Sequence, residues 1–132
     1  MARLRFRVEK LIRDHLPQIM RDQGLSVFER QLSDADFDAA LRAKLAEEAA
    51  EVAAATDREE LAWELADLSE VIQALANLHG LTREDIETRR IAKRAERGGF
   101  DQRIYNAAVE ADEGLPAADY YLARPDQYPR QP

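Results

Sequence analysis

Two sets of acidic residues lie within the apolar stripes of consecutive helices, which constrains the fold of this chain more than any other feature. The first reads Glu47-Glu48-Ala49-Ala50-Glu51. After twelve intervening residues comes Glu64-Leu65-Ala66-Asp67. Residues three apart share a helical face, so Glu48 and Glu51 point together, and so do Glu64 and Asp67. The break at Thr56-Asp57-Arg58 lets the chain return as a helical hairpin. Four carboxylates then converge between two helices. Hard oxygen donors of this kind suit Mg²⁺, with Mn²⁺ as a substitute.

From Phe37 the apolar positions are Phe37, Leu41, Leu45, Val52 and Ala55, the spacing of a buried helical stripe. Glu48 falls near the middle of that stripe, Glu51 near its edge, and Glu47 points largely away. On the next helix the expected stripe is Leu61, Leu65, Leu68, Ile72, Leu75 and His79. Glu64 lies inside it and Asp67 flanks it. An ionised carboxylate turned toward a core is costly unless it is paired or coordinates a metal. With 34% charged residues, either half alone reads as a chance match on a solvated face. Both halves together, inward-facing on successive helices, read as a metal site.

The length of 132 residues fits one domain with a modest core. The expected division is a helical domain over 1–112 and a Pro-containing tail over 113–132. The absence of cysteine excludes disulfides, zinc–thiolate sites and thiol nucleophiles, and points to a reducing, cytoplasmic setting. No apolar run approaches membrane-spanning length. Residues 3–8 alternate basic and apolar side chains, which reads as a short strand rather than a signal peptide. Glu9 and Asp14 argue against a mitochondrial presequence.

A net charge of −7 argues against nucleic acid as a general partner. The charge is unevenly placed. Residues 34–70 hold twelve acids and three bases, residues 83–103 seven bases and five acids, and residues 1–22 six bases and three acids. An acidic centre with basic flanks suits a metal held together with a polyphosphate. A helical protein balancing its surface charge gives the same pattern.

The organisation is all-α, a bundle of about four helices completed by oligomerisation, with extended segments near the N-terminus and after Gly99. A helix follows Pro17 and stops before Gly24. Ser33 caps the next, over about 34–55. Asp57 with Glu60 makes a capping-box-like start for a helix over about 58–79, which Gly80 ends. Thr82 with Asp85 opens a fourth, stopped by Gly98-Gly99. Phe100 to Tyr105 reads as extended, and the tail from Glu113 as not helical throughout. Its end is expected to be disordered or to wrap a partner subunit. His79 reads as a residue at a helix C-terminus. Trp63 lies off the apolar stripe, as an interface residue or, less simply, a base-stacking one. Lys93 and Arg97 sit one turn apart, able to hold phosphates or simply to stabilise a last helical turn. GxSxG and Walker A patterns are absent.

These residues resemble the all-α nucleoside triphosphate pyrophosphatases, the MazG-like superfamily. Glu47-Glu48-x-x-Glu51 followed by Glu64-x-x-Asp67 is similar to its signature. Lys10-Leu11-Ile12-Arg13-Asp14-His15-Leu16-Pro17 resembles the KLVRDKIP opening of a small "house-cleaning" branch, with His15 in place of a usual Lys. Glu60 to Asp67 resembles the EELAD segment, and Lys93-x-x-x-Arg97-Gly98-Gly99-Phe100 with Arg103-Ile104 its RGGF-type ending. The resemblance spans about residues 8–106.

It implies hydrolysis of a nucleoside triphosphate, normal or damaged, between the α and β phosphates, with water attacking the α phosphorus. The products are monophosphate and pyrophosphate. Glu48, Glu51, Glu64 and Asp67 would be the Mg²⁺ ligands. Glu47 would support them or orient the water, and Lys93, Arg97 and Arg13 would hold phosphates. The family is usually dimeric or tetrameric, so a homodimer or homotetramer is expected. The related alternative is phosphoribosyl-ATP pyrophosphohydrolase. An alternative of another class is a non-catalytic helical oligomer that binds nucleotide or metal.

Overall fold

Three acidic or hydroxyl caps start the long helices. Ser33 Oγ accepts from the Asp36 N–H at 3.3 Å, and Asp57 Oδ1 from the Glu60 N–H at 2.8 Å. Thr82 and Asp85 cap reciprocally, at 3.0 and 2.7 Å. Each satisfies backbone donors that a helix leaves unpaired. The structure, a computed structural model, describes residues 2–132. Its helices are α1 (Leu16–Asp22), α2 (Asp34–Ala54), α3 (Arg58–Leu78), α4 (Arg83–Arg97) and α5 (Pro116–Leu122). Pro17 opens α1, and Gly98, at φ 83, follows the last residue of α4.

The chain divides into two compact units, one running to Ala95 and the other from Glu96. In the first, α2 and α3 pack against each other as the hairpin that the short break at 55–57 requires. Leu41, 2% exposed, is its most deeply buried side chain; Val71 and Ala76 complete the buried apolar set of this unit. At the open end of the hairpin His79 Nε2 meets Asp38 Oδ1 at 2.5 Å, and Arg42 Nε donates to Asp38 Oδ2 at 2.9 Å. These contacts hold Asp38 below the ordinary carboxylate range, the Arg42 bond contributing most.

The α3 stripe expected from the sequence is corrected. The helix is rolled so that Val71 is buried, with Glu64, Asp67, Leu68, Leu75 and Leu78 half-buried beside it. Leu61, Leu65 and Ile72 are 38%, 48% and 44% exposed. The cause is that α3 carries two adjoining apolar strips while α2 offers one. The strip that includes the carboxylates takes that contact. Between α3 and α4 lies a groove of about 290 Å³ lined by Ile72, Gln73, Ala76, Arg83 and Ile86 among others.

Residues 3–8 form no strand, nor does any other segment among the described residues. Leu4 and Phe6 are exposed. Arg3 donates to Ser26 Oγ at 2.7 Å, and the Arg5 guanidinium lies over the Phe28 ring at 4.6 Å. Alternation needs a paired sheet edge to become a strand, and the segment meets side chains instead.

In the second unit, Phe100 to Arg103 forms a turn, closed by the Arg103 N–H to the Phe100 carbonyl at 3.1 Å. The tail then forms α5, one more helix than expected. Ala118 is buried there, and Tyr120, Tyr121 and Tyr128 pack as a trio with centroids 4.9 to 6.1 Å apart. Arg124 stacks on Tyr120 at 3.9 Å.

Candidate metal and phosphate site

Glu48 sits two turns after Leu41 on the same face of α2, so the packing that buries Leu41 buries Glu48 as well. Its side chain is 9% exposed. Across the hairpin, Glu64 enters from the first turns of α3. One carboxylate oxygen from each of Glu48, Glu51 and Glu64 lies within 4.8 Å of the others. Among the described residues, Glu48 Oε2 and Glu64 Oε2 are buried with no hydrogen-bond partner. Burial pushes the Glu48 carboxyl up, and the neighbouring Glu51 raises it further by hydrogen bonding and repulsion. Lys44 opposes this, and Asp67 adds to it.

Two orphaned buried carboxylate oxygens beside a third acid are costly as they stand. A divalent cation favours a set of hard oxygen donors like this one. The residues therefore fit a Mg²⁺ or Mn²⁺ ion, which Glu48, Glu51 and Glu64 could hold. Asp67 lies near enough to Glu48 to raise it. It stands outside the triad, and its Oδ1 accepts from Arg13 Nη2 at 2.9 Å.

Glu47 is half-buried on α2 beside the N-terminal segment. Lys10 Nζ reaches its Oε1 at 3.3 Å, and Lys44 Nζ its Oε2 at 3.5 Å. Burial raises the Glu47 carboxyl, but Lys10 and Lys44 outweigh it and hold the group below its ordinary value. Glu47 lines a cleft of about 90 Å³ with Glu9, Lys10, Leu11, Ala40, Ala43 and Lys44. That is room for water.

Of the three cations expected to hold phosphates, Arg13 reaches the acidic cluster. Lys93 lies on the exposed face of α4, and Arg97 ends that helix with Glu96 3.9 Å away. Lys10 and Lys44 were not legible as site residues from the motifs. For Lys44 a signal existed: it precedes Glu47 and Glu48 by three and four residues, so it shares their face. Its Nζ lies 3.6 Å from Glu48 Oε1.

The model of the phosphoribosyl-ATP pyrophosphohydrolase (PRA-PH) family matches residues 16–95, a span containing all five acids of the cluster. A Mycolicibacterium smegmatis (strain ATCC 700084 / mc(2)155) protein described as uncharacterized is 46% identical over 50 residues, covering 38% of this chain and 51% of that protein. The chain thus spans about half the length of that curated relative. No solved structure matches. No helix among the described residues is long and apolar enough to cross a membrane. The chain belongs to the PRA-PH family, pyrophosphohydrolases of the MazG-like all-α superfamily.

Proposed function

We propose that the protein hydrolyses nucleoside triphosphates to monophosphate and pyrophosphate by water attack at the α phosphorus. The observation that carries this is the pair of orphaned oxygens on Glu48 and Glu64, two of the three acids that the hairpin gathers with Glu51. A bound Mg²⁺ neutralises phosphate charge. The chain's own residues do the rest. Glu48, Glu51, Glu64 and Asp67 hold the ion. Glu47, whose carboxyl Lys10 and Lys44 hold below its ordinary value against the opposing effect of burial, takes the proton of the attacking water. Arg13, Lys93 and Arg97 engage phosphate oxygens. Trp63, 67% exposed and one turn before Asp67, offers a ring on which a base can stack. A cysteine-free chain suits a reducing cytoplasm.

A second reading, phosphoribosyl-ATP as substrate, is favoured by the family match itself. It uses the same cluster and the same cut. A panel of normal and damaged triphosphates with phosphoribosyl-ATP, scored for pyrophosphate, decides between the two. In ¹⁸O-water the label should enter the monophosphate. Label in pyrophosphate would mean attack at the β phosphorus, and orthophosphate as direct product a γ-phosphatase. Metal binding without pyrophosphate release from any substrate would return the chain to a binding protein. Lys93→Ala and Arg97→Ala should raise KM more than they disturb folding. Unchanged kinetics would remove both from phosphate binding.

We also propose a homodimer or homotetramer. Its basis is the exposed strip Leu61, Leu65 and Ile72 on α3, which a second copy's helices would cover.

A further inference from the structure

The Arg13–Asp67 bond joins two groups to which the proposed function gives separate tasks. It spans 54 positions in sequence, and its partners remain 63% and 40% exposed. An ion pair so open to water contributes little, so a stronger competitor takes either partner at small cost. Three residues earlier, Lys10 ties the same segment to Glu47. The N-terminal segment is thus moored to the acidic cluster at two points, each a cation on a carboxylate. Between Val8 and Lys10 the backbone of Glu9 lies at φ 44, in the left-handed region that a residue with a Cβ seldom adopts. The two cations, Lys10 and Arg13, precede the family match, which begins at Leu16, whereas the carboxylates they meet lie within it.

Charge explains why these moorings sit there. Glu47, Glu48, Glu51, Glu64 and Asp67 face Lys10, Arg13 and Lys44. The cluster is richer in acid than in base, and a divalent ion entering it would compete with these cations for the carboxylates. A guanidinium beside that ion would be repelled by it, and Arg13, 63% exposed in its pair with Asp67, can turn into water.

We propose that Arg13 is an exchangeable counter-ion: Asp67 leaves it on joining Glu48, Glu51 and Glu64 around a divalent cation, and the freed guanidinium turns to the substrate's phosphates. This rests on the metal reading above. A guanidinium suits phosphate, which it can grip with two parallel hydrogen bonds. The exchange makes metal binding release the phosphate-holding group, so metal and polyphosphate each strengthen the other's binding.

Calorimetric titration of the full chain with Mn²⁺ alone tests this. Arg13→Ala should bind Mn²⁺ about two- to fivefold more tightly than wild type at 0.1 M salt, the factor an exposed pair allows. The gap should narrow at 1 M salt. Arg13→Gln, closer in size, should behave alike. Hydrogen exchange gives a second readout. Mn²⁺ should speed exchange of the amides of residues 9–15 in wild type and leave them unchanged in Asp67→Asn, where that mooring is already weakened. Equal or weaker Mn²⁺ binding by both Arg13 variants would overturn the exchange while leaving the metal site standing. So would greater protection of residues 9–15. If wild type bound no Mn²⁺, the metal reading itself would fall.

Discussion

Glu48 is the residue at which folding and chemistry conflict. The face that buries Leu41 also buries a carboxylate, and Glu51 and Asp67 push it toward the protonated form. A divalent ion relieves this, so Mg²⁺ or Mn²⁺ should raise the melting temperature. At a hundred times its Kd, an ion that binds only the native state contributes about 2.7 kcal/mol. Glu48→Gln should abolish most of that gain. A wild-type melting temperature unmoved by metal would remove the ligand assignment. Asp38 has no part in the site and gives a separate pH test. Its carboxyl is held below the ordinary value of 3.8, first by Arg42 and then by His79. The unfolded chain therefore binds the proton more readily, and the stabilisation is present above that value and lost as pH falls through the lowered one. Asp38→Asn should melt lower than wild type at pH 7, and the difference should fade in acid below about pH 3.8. A difference that persists there would mean that the contact is not electrostatic.

The three long helices were legible because their starts are written locally. Ser33, Asp57 and Thr82 each precede a backbone donor that they can satisfy, and no distant residue has to be known. Asp57→Ala should cost about 1 kcal/mol, the usual worth of such a cap, read as a lowered urea midpoint at unchanged slope. An unchanged midpoint would make the cap dispensable. Glu60 reinforces this start in a way that the capping-box pattern does not specify, accepting from the Thr56 N–H and hydroxyl rather than from Asp57. The roll of α3 was not legible. Leu61, Leu65 and Ile72 share one side and Val71 and Leu78 the other, and helical spacing alone cannot say which meets α2. Residues 3–8 failed as a strand because alternation states a face and not a partner. Glu48, Glu51 and Glu64 meet because two helix registers and one short loop suffice to place them. Lys10 and Arg13 come from far along the chain, and only the path of the N-terminal segment brings them to Glu47 and Asp67.

At the scale of the molecule, the hairpin covers one strip of α3 and leaves another in water. Leu61, Leu65 and Ile72 recur at helical spacing, and Ile72 also lines the groove beside α4 together with Ile86. Each of these side chains would gain about 25 cal/mol for every Å² of apolar surface removed from water. A stable interface needs about 800 Å² on each side, so the strip must act together with α4 rather than alone. On this proposal the protein is a dimer or larger at micromolar concentration. Leu65→Asp with Ile72→Asp should release monomers, because two carboxylates would be buried unpaired in a symmetric contact. The hairpin supplies Glu48, Glu51 and Glu64 from a single chain, so the monomeric variant should keep its stabilisation by Mn²⁺ if it remains helical. Light scattering reads the first outcome, and melting with and without Mn²⁺ the second. A wild-type chain that scatters as a monodisperse monomer would sink the oligomer. A dissociated variant that stays helical and loses its response to Mn²⁺ would mean that the metal site needs the neighbouring subunit.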